Sequence, residues 1–253
     1  MKSFTIYQDG DHRWVAFGQD PDKPEEIIDT NQFVVTSSDT GCLLDPGGAE
    51  LFPDMVAALS REISVDTIQH LFLTHQDPDV SSAITLWDEV CADGMKIYIS
   101  WMWKGFVKHF DNAARFVDVP DEGMDLNLGG GVTLRAMPAH YLHSPGNFSV
   151  YDPKAKILFT GDIGAALVPE SEQGDIFVQN FDHHIQFMEP FHKRWMVSAR
   201  ARDAWVAMVR NLDVNILAPQ HGLLFKGDDV QRFLDWFGNL EVGNGLSAYQ
   251  QYT

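Results

Sequence analysis

Four stretches of this 253-residue chain share one form, a β-rich run that ends in His or Asp and opens into a loop. They are "LFLTHQDPD" (71–79), "LRAMPAHYLHSPG" (134–146), "KILFTGDIG" (156–164) and "VNILAPQHG" (214–222). Polar side chains just past four strands that end at one sheet edge converge in space, however far apart they lie in the chain. That pattern constrains the fold: the strands must share an edge, and the convergent set is His75, Asp77, Asp79, His140, His143, Asp162 and His221. Taken singly each has a plain explanation, because an Asp before a helix commonly caps it and a loop His is commonly solvated.

The runs between these motifs give the layering. "FTIYQ", "HRWVAFG" after an Asp-Gly-Asp turn, "QFVVTSS" and "GCLLD" before Pro46-Gly47-Gly48 read as an antiparallel meander. Leu51, Met55, Leu59 and Ile63 then repeat at helical spacing ahead of the β-rich "IQHLFLT". "VSSAITLWDEVCAD" reads as one helix ending at Gly94, "KIYIS" as a strand and "WMWKGFVKHF" as a helix. Strands return in "ARFVDV", "VTLRAMPA" and the hairpin "NFSVYDPKAKILFTGD", which turns at Asp152-Pro153-Lys154. A helical stretch from about Arg194 to Leu212 leads into "VNILAPQHG", and "DDVQRFLDWFGNL" forms a closing amphipathic helix. Meander, helices, meander, helices predicts an α/β (α+β) fold of two sheets face to face with helices outside, in one domain over residues 1–253. The hairpins contradict the regular strand–helix alternation of a TIM barrel.

Composition narrows the function. Eighteen Lys+Arg against 36 Asp+Glu give a formal charge of −18, which repels nucleic-acid phosphates and anionic membrane surfaces. No apolar run has the length of a signal sequence or a membrane span, so the cytoplasm is the default address. Cys42 and Cys91 sit in apolar segments, outside any CxxC pair, and read as reduced, buried thiols.

Imidazoles and carboxylates brought together with no Arg or Lys adjoining the aspartates suit a divalent metal better than an ion pair. In "HQDPD", His75 ends the strand, Pro78 stiffens the turn, and Asp77 and Asp79 can face one or two ions, with the following helix N-terminus adding positive potential. A carboxylate-rich mixed set favours iron or manganese over structural zinc. Asp182-His183-His184 is left out, since neighbouring residues of a regular element point in different directions. Trp101, Trp103, Phe106, Tyr141 and Phe148 are candidates to wall the pocket against water.

"HQDPDV", "LHSPGNF", "TGDIG" and "APQHG", in this order, resemble the motif series of the metallo-β-lactamase superfamily. That resemblance implies a four-layer αβ/βα sandwich. Asp77, where hydrolases carry His, together with "LHSPGNF" and "MEPFHKRW", is similar to the flavodiiron branch and its stand-alone oxygen-binding di-iron relatives. Carried over, the resemblance makes His75, Asp77 and His143 ligands of one iron, Asp79 and His221 ligands of the other, and Asp162 the bridge. Val80 stands where the branch carries a further His and implies an open position; His140 is extra, either hydrogen-bonded beside the ligands or a substitute ligand.

The implied cofactor is an Fe–Fe pair with a bridging oxo, hydroxo or peroxo group, zinc being the alternative metal. No flavodoxin-like phosphate loop is expected in the chain, so no flavodoxin domain and no built-in flavin donor. The implied function is binding of dioxygen, with nitric oxide as a second diatomic, as a sensor in signalling more than as a full reductase. A dinuclear zinc hydrolase of an ester or thioester is the alternative, weakened by Asp77 and Val80. The signalling or electron-transfer partner and any oligomer are not legible in the sequence.

Overall fold

The computed structural model describes residues 1–20, 23, 26–111 and 114–252. In chain order the strands and helices begin with β1 (Lys2–Asp9), β2 (His12–Gly18), β3 (Gln32–Ser37), β4 (Thr40–Leu44), α1 (Phe52–Glu62) and β5 (Ile68–Phe72). There follow α2 (Pro78–Ser81), α3 (Ile84–Val90), β6 (Lys96–Ser100), α4 (Trp101–Val107), β7 (Phe116–Val119), β8 (Met124–Gly129), β9 (Val132–Pro138) and β10 (Phe148–Asp152). The last part holds β11 (Ile157–Phe159), α5 (Phe181–Trp195), α6 (Ala199–Val209), β12 (Ile216–Ala218), β13 (Phe225–Lys226) and α7 (Asp228–Asn239).

Strands β1 to β7 form one sheet in sequence order, and the other runs β13-β12-β11-β10-β9-β8. The first sheet is an antiparallel meander through β4 that continues parallel through β5, β6 and β7. Parallel pairing needs crossovers, which α1, α2 with α3, and α4 supply. Alternation decides which side chains meet between the sheets: on β3, Phe33 and Val35 join the shared core with Phe72, Leu134, Phe148, Val150 and Phe159, while Val34 points the other way. That opposite face is buried too, under Met55, Leu59, Ile84 and Trp87, which is why β3 is apolar on both sides. On the outer face of the second sheet, Phe181, Met188, Trp205, Phe233 and Phe237 cover Leu158 and Leu217. The result is four layers, αβ/βα, as the resemblance implies.

The structure redraws three elements. The helix read through "VSSAITLWDEVCAD" is two, because the Ser81 hydroxyl bonds the carbonyls of Gln76 and Asp77 and the Ser82 hydroxyl accepts the Ala49 N–H, pulling that turn out of a continuous helix. The stretch placed at Arg194–Leu212 is also two helices: α5 starts much earlier, and Ser198 caps α6 by accepting the Ala201 N–H at 3.1 Å. Strand β8 was not legible beside the glycine run that turns it into β9. Among the described residues no helix is long and apolar enough to cross a membrane.

Candidate metal centre

Four strand ends meet, but not on the single sheet edge expected: β5 comes from the first sheet, and β9, β11 and β12 from the second. His75 and Asp77 follow β5, His143 lies between β9 and β10, Asp162 follows β11 and His221 follows β12, while Asp79 stands in the first turn of α2. The other five gather around the carboxylate of Asp162. Its Oδ2 faces His143 Nε2 at 3.4 Å and His75 Nε2 at 3.9 Å; its Oδ1 faces His221 Nε2 at 3.3 Å. Asp77 Oδ2 completes the first group, 2.8 Å from His143 Nε2 and 3.7 Å from His75 Nε2. Asp79 Oδ2 completes the second, 3.4 Å from His221 Nε2.

Hydrogen bonds fix which nitrogens face inward. A carbonyl only accepts, so His221 donates Nδ1–H to the Asp29 carbonyl at 3.0 Å and leaves Nε2 toward the cluster. His75 Nδ1 lies 2.9 Å from Thr74 Oγ1, which donates to Asp45 Oδ2 at 2.6 Å; the imidazole therefore carries its hydrogen on Nδ1. His75 Nε2 and Asp162 Oδ1 are then buried with no hydrogen bond of their own. Native interiors seldom leave such atoms orphaned, and a cation between imidazole lone pairs and carboxylate oxygens satisfies both. His75, His143 and Asp162 each offer an atom within 4.8 Å of the others. This donor set fits metal ions.

The carboxylates are held as firmly. Gln76 donates to Asp77 Oδ1 at 2.9 Å and accepts the Ser144 hydroxyl at 2.7 Å, which in turn accepts Trp103 Nε1–H at 3.1 Å. Gln220 donates to Asp79 Oδ2 at 3.2 Å. Two backbone devices shape the loops: His143 adopts a left-handed φ of 71°, and Gly161 takes φ +56° where a Cβ would lie 2.9 Å from Thr74 Oγ1. A non-glycine residue there costs roughly 1–2 kcal/mol, so the loop contacts hold His143 against an intrinsic preference.

Electrostatics follow from the crowding. Burial alone would raise Asp162, but His75, His221 and His143 together hold its carboxyl well below the ordinary range. Burial would lower His221, yet the charges of Asp162 and Asp79 and the Asp29 carbonyl raise it to about 9. Burial likewise opposes the shift of His143, which the Asp77 and Asp162 carboxylates push up. Burial pushes the Asp45 carboxyl up, while the two Thr74 hydrogen bonds favour its ionised form. Metal-free, His221 and His143 favour a proton where an ion would sit, while buried His75 stays neutral.

Two sequence expectations are corrected. His140 is not at the cluster: its Nε2 lies 2.9 Å from the Asp121 carbonyl and its ring packs edge-on to Phe148. Val80 faces no open position; in the first turn of α2 its side chain turns into the apolar layer with Val15, Leu43, Ile84 and Ile99, fully buried. The wall differs as well. Phe148 is in the inter-sheet core, Trp101 and Phe106 are exposed, and the aromatic residues beside His143 are Trp195 and Phe191, with ring centroids 5.3 and 6.1 Å away. Sequence reading also missed Asp45 and Thr74, although "GCLLD" is a fifth β-rich run ending in Asp.

A family model described as "ODP family beta lactamase" matches residues 28–222. Among solved structures, the chain is 40% identical to the chemotaxis sensor ODP from T. denticola in its apo state, covering 96% of each chain with a TM-score of 0.86. A structure titled as the peroxy diiron species of chemotaxis sensor ODP matches at the same identity, covering 96% of this chain and 97% of that one with a TM-score of 0.85. A mutant flavo di-iron protein from Thermotoga maritima shares the fold at 20% identity and a TM-score of 0.79, over 94% of this chain and 60% of that one. The anaerobic nitric oxide reductase flavorubredoxin of Aeromonas hydrophila is 23% identical over 207 residues, 77% of this chain and 40% of that protein. The chain spans between 32% and 53% of the length of the curated relatives it matches.

Proposed function

The chain belongs to the ODP family of beta lactamases, in the flavodiiron-like branch of the metallo-β-lactamase superfamily, and we propose that it holds two iron ions and binds dioxygen between them as a sensor. The observation that carries this reading is the pair of donor groups on opposite oxygens of one buried carboxylate. His75, Asp77 and His143 would hold one ion, Asp79 and His221 the other, and Asp162 would be shared by both. Iron held by these residues would supply the electrons for binding dioxygen.

The chain's own residues do the rest. Thr74 with Asp45, and the Asp29 carbonyl, keep the lone pairs of His75 and His221 turned inward. Gln76 and Gln220 hold Asp77 and Asp79 against rotation. Trp195 and Phe191 cover one edge of His143 and limit water there. The sensor role rests on likeness to the chemotaxis sensor, which aligns along nearly its whole length, whereas the flavo di-iron chain aligns over 60% of its own. Such a sensor reports through a protein partner; nitric oxide is a second candidate ligand.

Ion stoichiometry tests the assignment. Protein loaded anaerobically with ferrous iron is expected to hold two ions per chain, Asp162→Asn to lose both, and His143→Ala to lose chiefly one. Equal, small losses in the two variants would break the bridging role, and full zinc occupancy that resists iron under competition would favour a hydrolase.

A further inference from the structure

His192 is wholly buried on the inner face of α5 and belongs to none of the strand-end motifs. It sits among Phe191, Phe233, Trp236 and Phe237, with ring centroids 5.3–6.1 Å away, and burial pushes its imidazole down to about 4. Both ring nitrogens are nonetheless bonded. Nδ1 lies 2.7 Å from the Met188 carbonyl, which only accepts, so Nδ1 carries the hydrogen and Nε2 keeps its lone pair. That lone pair receives the backbone N–H of Gly164 at 2.9 Å.

Gly164 ends the turn that presents Asp162. The turn closes internally through Ile163 N–H on the Thr160 carbonyl, Thr160 Oγ1 on the Ile163 carbonyl and Ala165 N–H on the Asp162 carbonyl. From outside, the Gln220 N–H holds its entry at the Gly161 carbonyl, and His192 holds its exit. Gly164 needs that fixed exit, because its φ is +100° and a Cβ would lie 3.2 Å from Pro219. Asp162 therefore hangs between the segment from Ala218 to His221, which holds Thr160, Gly161 and Ala166, and α5, which holds Gly164.

We propose that His192 is a positioning residue for the metal centre: its neutral Nε2 holds the Gly164 N–H and so fixes the turn from which Asp162 offers one oxygen to each group of ligands. The proposal rests on the reading of Asp162 as a shared metal carboxylate. It adds a third contact between α5 and the centre, since Phe191 and Trp195 lie against His143. An apolar residue at 192 leaves the Gly164 N–H buried with no acceptor, and the turn must shift to find one. A glutamine offers a side-chain oxygen in its place.

The test is cobalt(II) titration of the metal-free full chain, read by visible absorption, in wild type, His192→Leu and His192→Gln, with thermal melts of the metal-free forms. His192→Leu is expected to bind both ions about 10–100-fold more weakly and with an altered cobalt spectrum, while His192→Gln recovers most of the affinity. A folded His192→Leu with wild-type affinity and spectrum overturns the proposal, as does a His192→Gln no better than the leucine variant. Long-range proton–nitrogen correlation spectra of the metal-free wild type decide the same point without substitution. A hydrogen on Nδ1 and an acceptor Nε2 support it; a hydrogen on Nε2 overturns it. Failure of wild type to bind cobalt at all would instead remove the metal reading, leaving the hydrogen bond to the spectra.

Discussion

Asp162 is the residue on which the centre turns, and its neighbours set how the site responds to pH. His221 holds its proton up to about 9, above the ordinary 6.5, so protonation stabilises the metal-free fold fully below about 6.5, and that contribution is lost as pH rises through about 9. Metal-free protein should therefore melt lower at pH 9 than at 6.5, with a flatter slope in His221→Ala. Ion binding must displace the His221 proton, so affinity should rise with pH over the same range, and calorimetry in buffers of different ionisation heat should detect proton release at neutral pH. A melt unchanged across that range, with no proton released, would contradict the electrostatics. The ligand-type residues were legible because each is a polar side chain just past an apolar run. Asp45, Thr74, Gln220 and His192 act through contacts between segments 28 to 141 residues apart, and no local pattern announces those. His140 misled because its place in "AHYLH" matches a ligand spacing, while the left-handed turn at Tyr141 and His143 sends the two rings apart.

At the scale of elements, α2 shows how one turn separates function from packing. Asp77 stands at its N-cap position with its carboxylate turned to the cluster instead of the helix N–H groups, Asp79 lies in its first turn facing the cluster, and Val80 rotates into the apolar layer under the first sheet. Replacing Val80 with His therefore adds no ligand. Burying an unpartnered imidazole in a packed site should cost about 2–5 kcal/mol of stability and leave the ion count at two. Thermal melts with metal analysis check this; a stable variant with a changed iron absorption spectrum would place position 80 at the metals after all. The helix breaks were hard to read for a related reason: Ser81, Ser82 and Ser198 decide them through side-chain bonds to backbone, which compete with a helical period that "VSSAITLWDEVCAD" otherwise satisfies. Helix α5 was obscured because Pro190 and the His pair interrupt its apolar face, although Phe181, His184, Met188 and His192 recur at spacings of three and four.

For the whole molecule, the alternation of meanders and helices carried the layering, and the shared ends of β5, β11 and β12 carried the position of the site. A charge of −18 concentrates carboxylates that the described Lys and Arg cannot all neutralise, and bound cations relieve part of that at the centre. The central claim is that this centre captures dioxygen and holds it. The most direct measurement is dioxygen uptake by the reduced, iron-loaded chain, followed with a visible absorption spectrum over time. The account predicts uptake of one dioxygen per pair of irons, a colour that persists, and no sustained consumption when a simple reductant is added. Continuous consumption at a reductase's pace, or no uptake by protein that holds two ferrous ions, would contradict it.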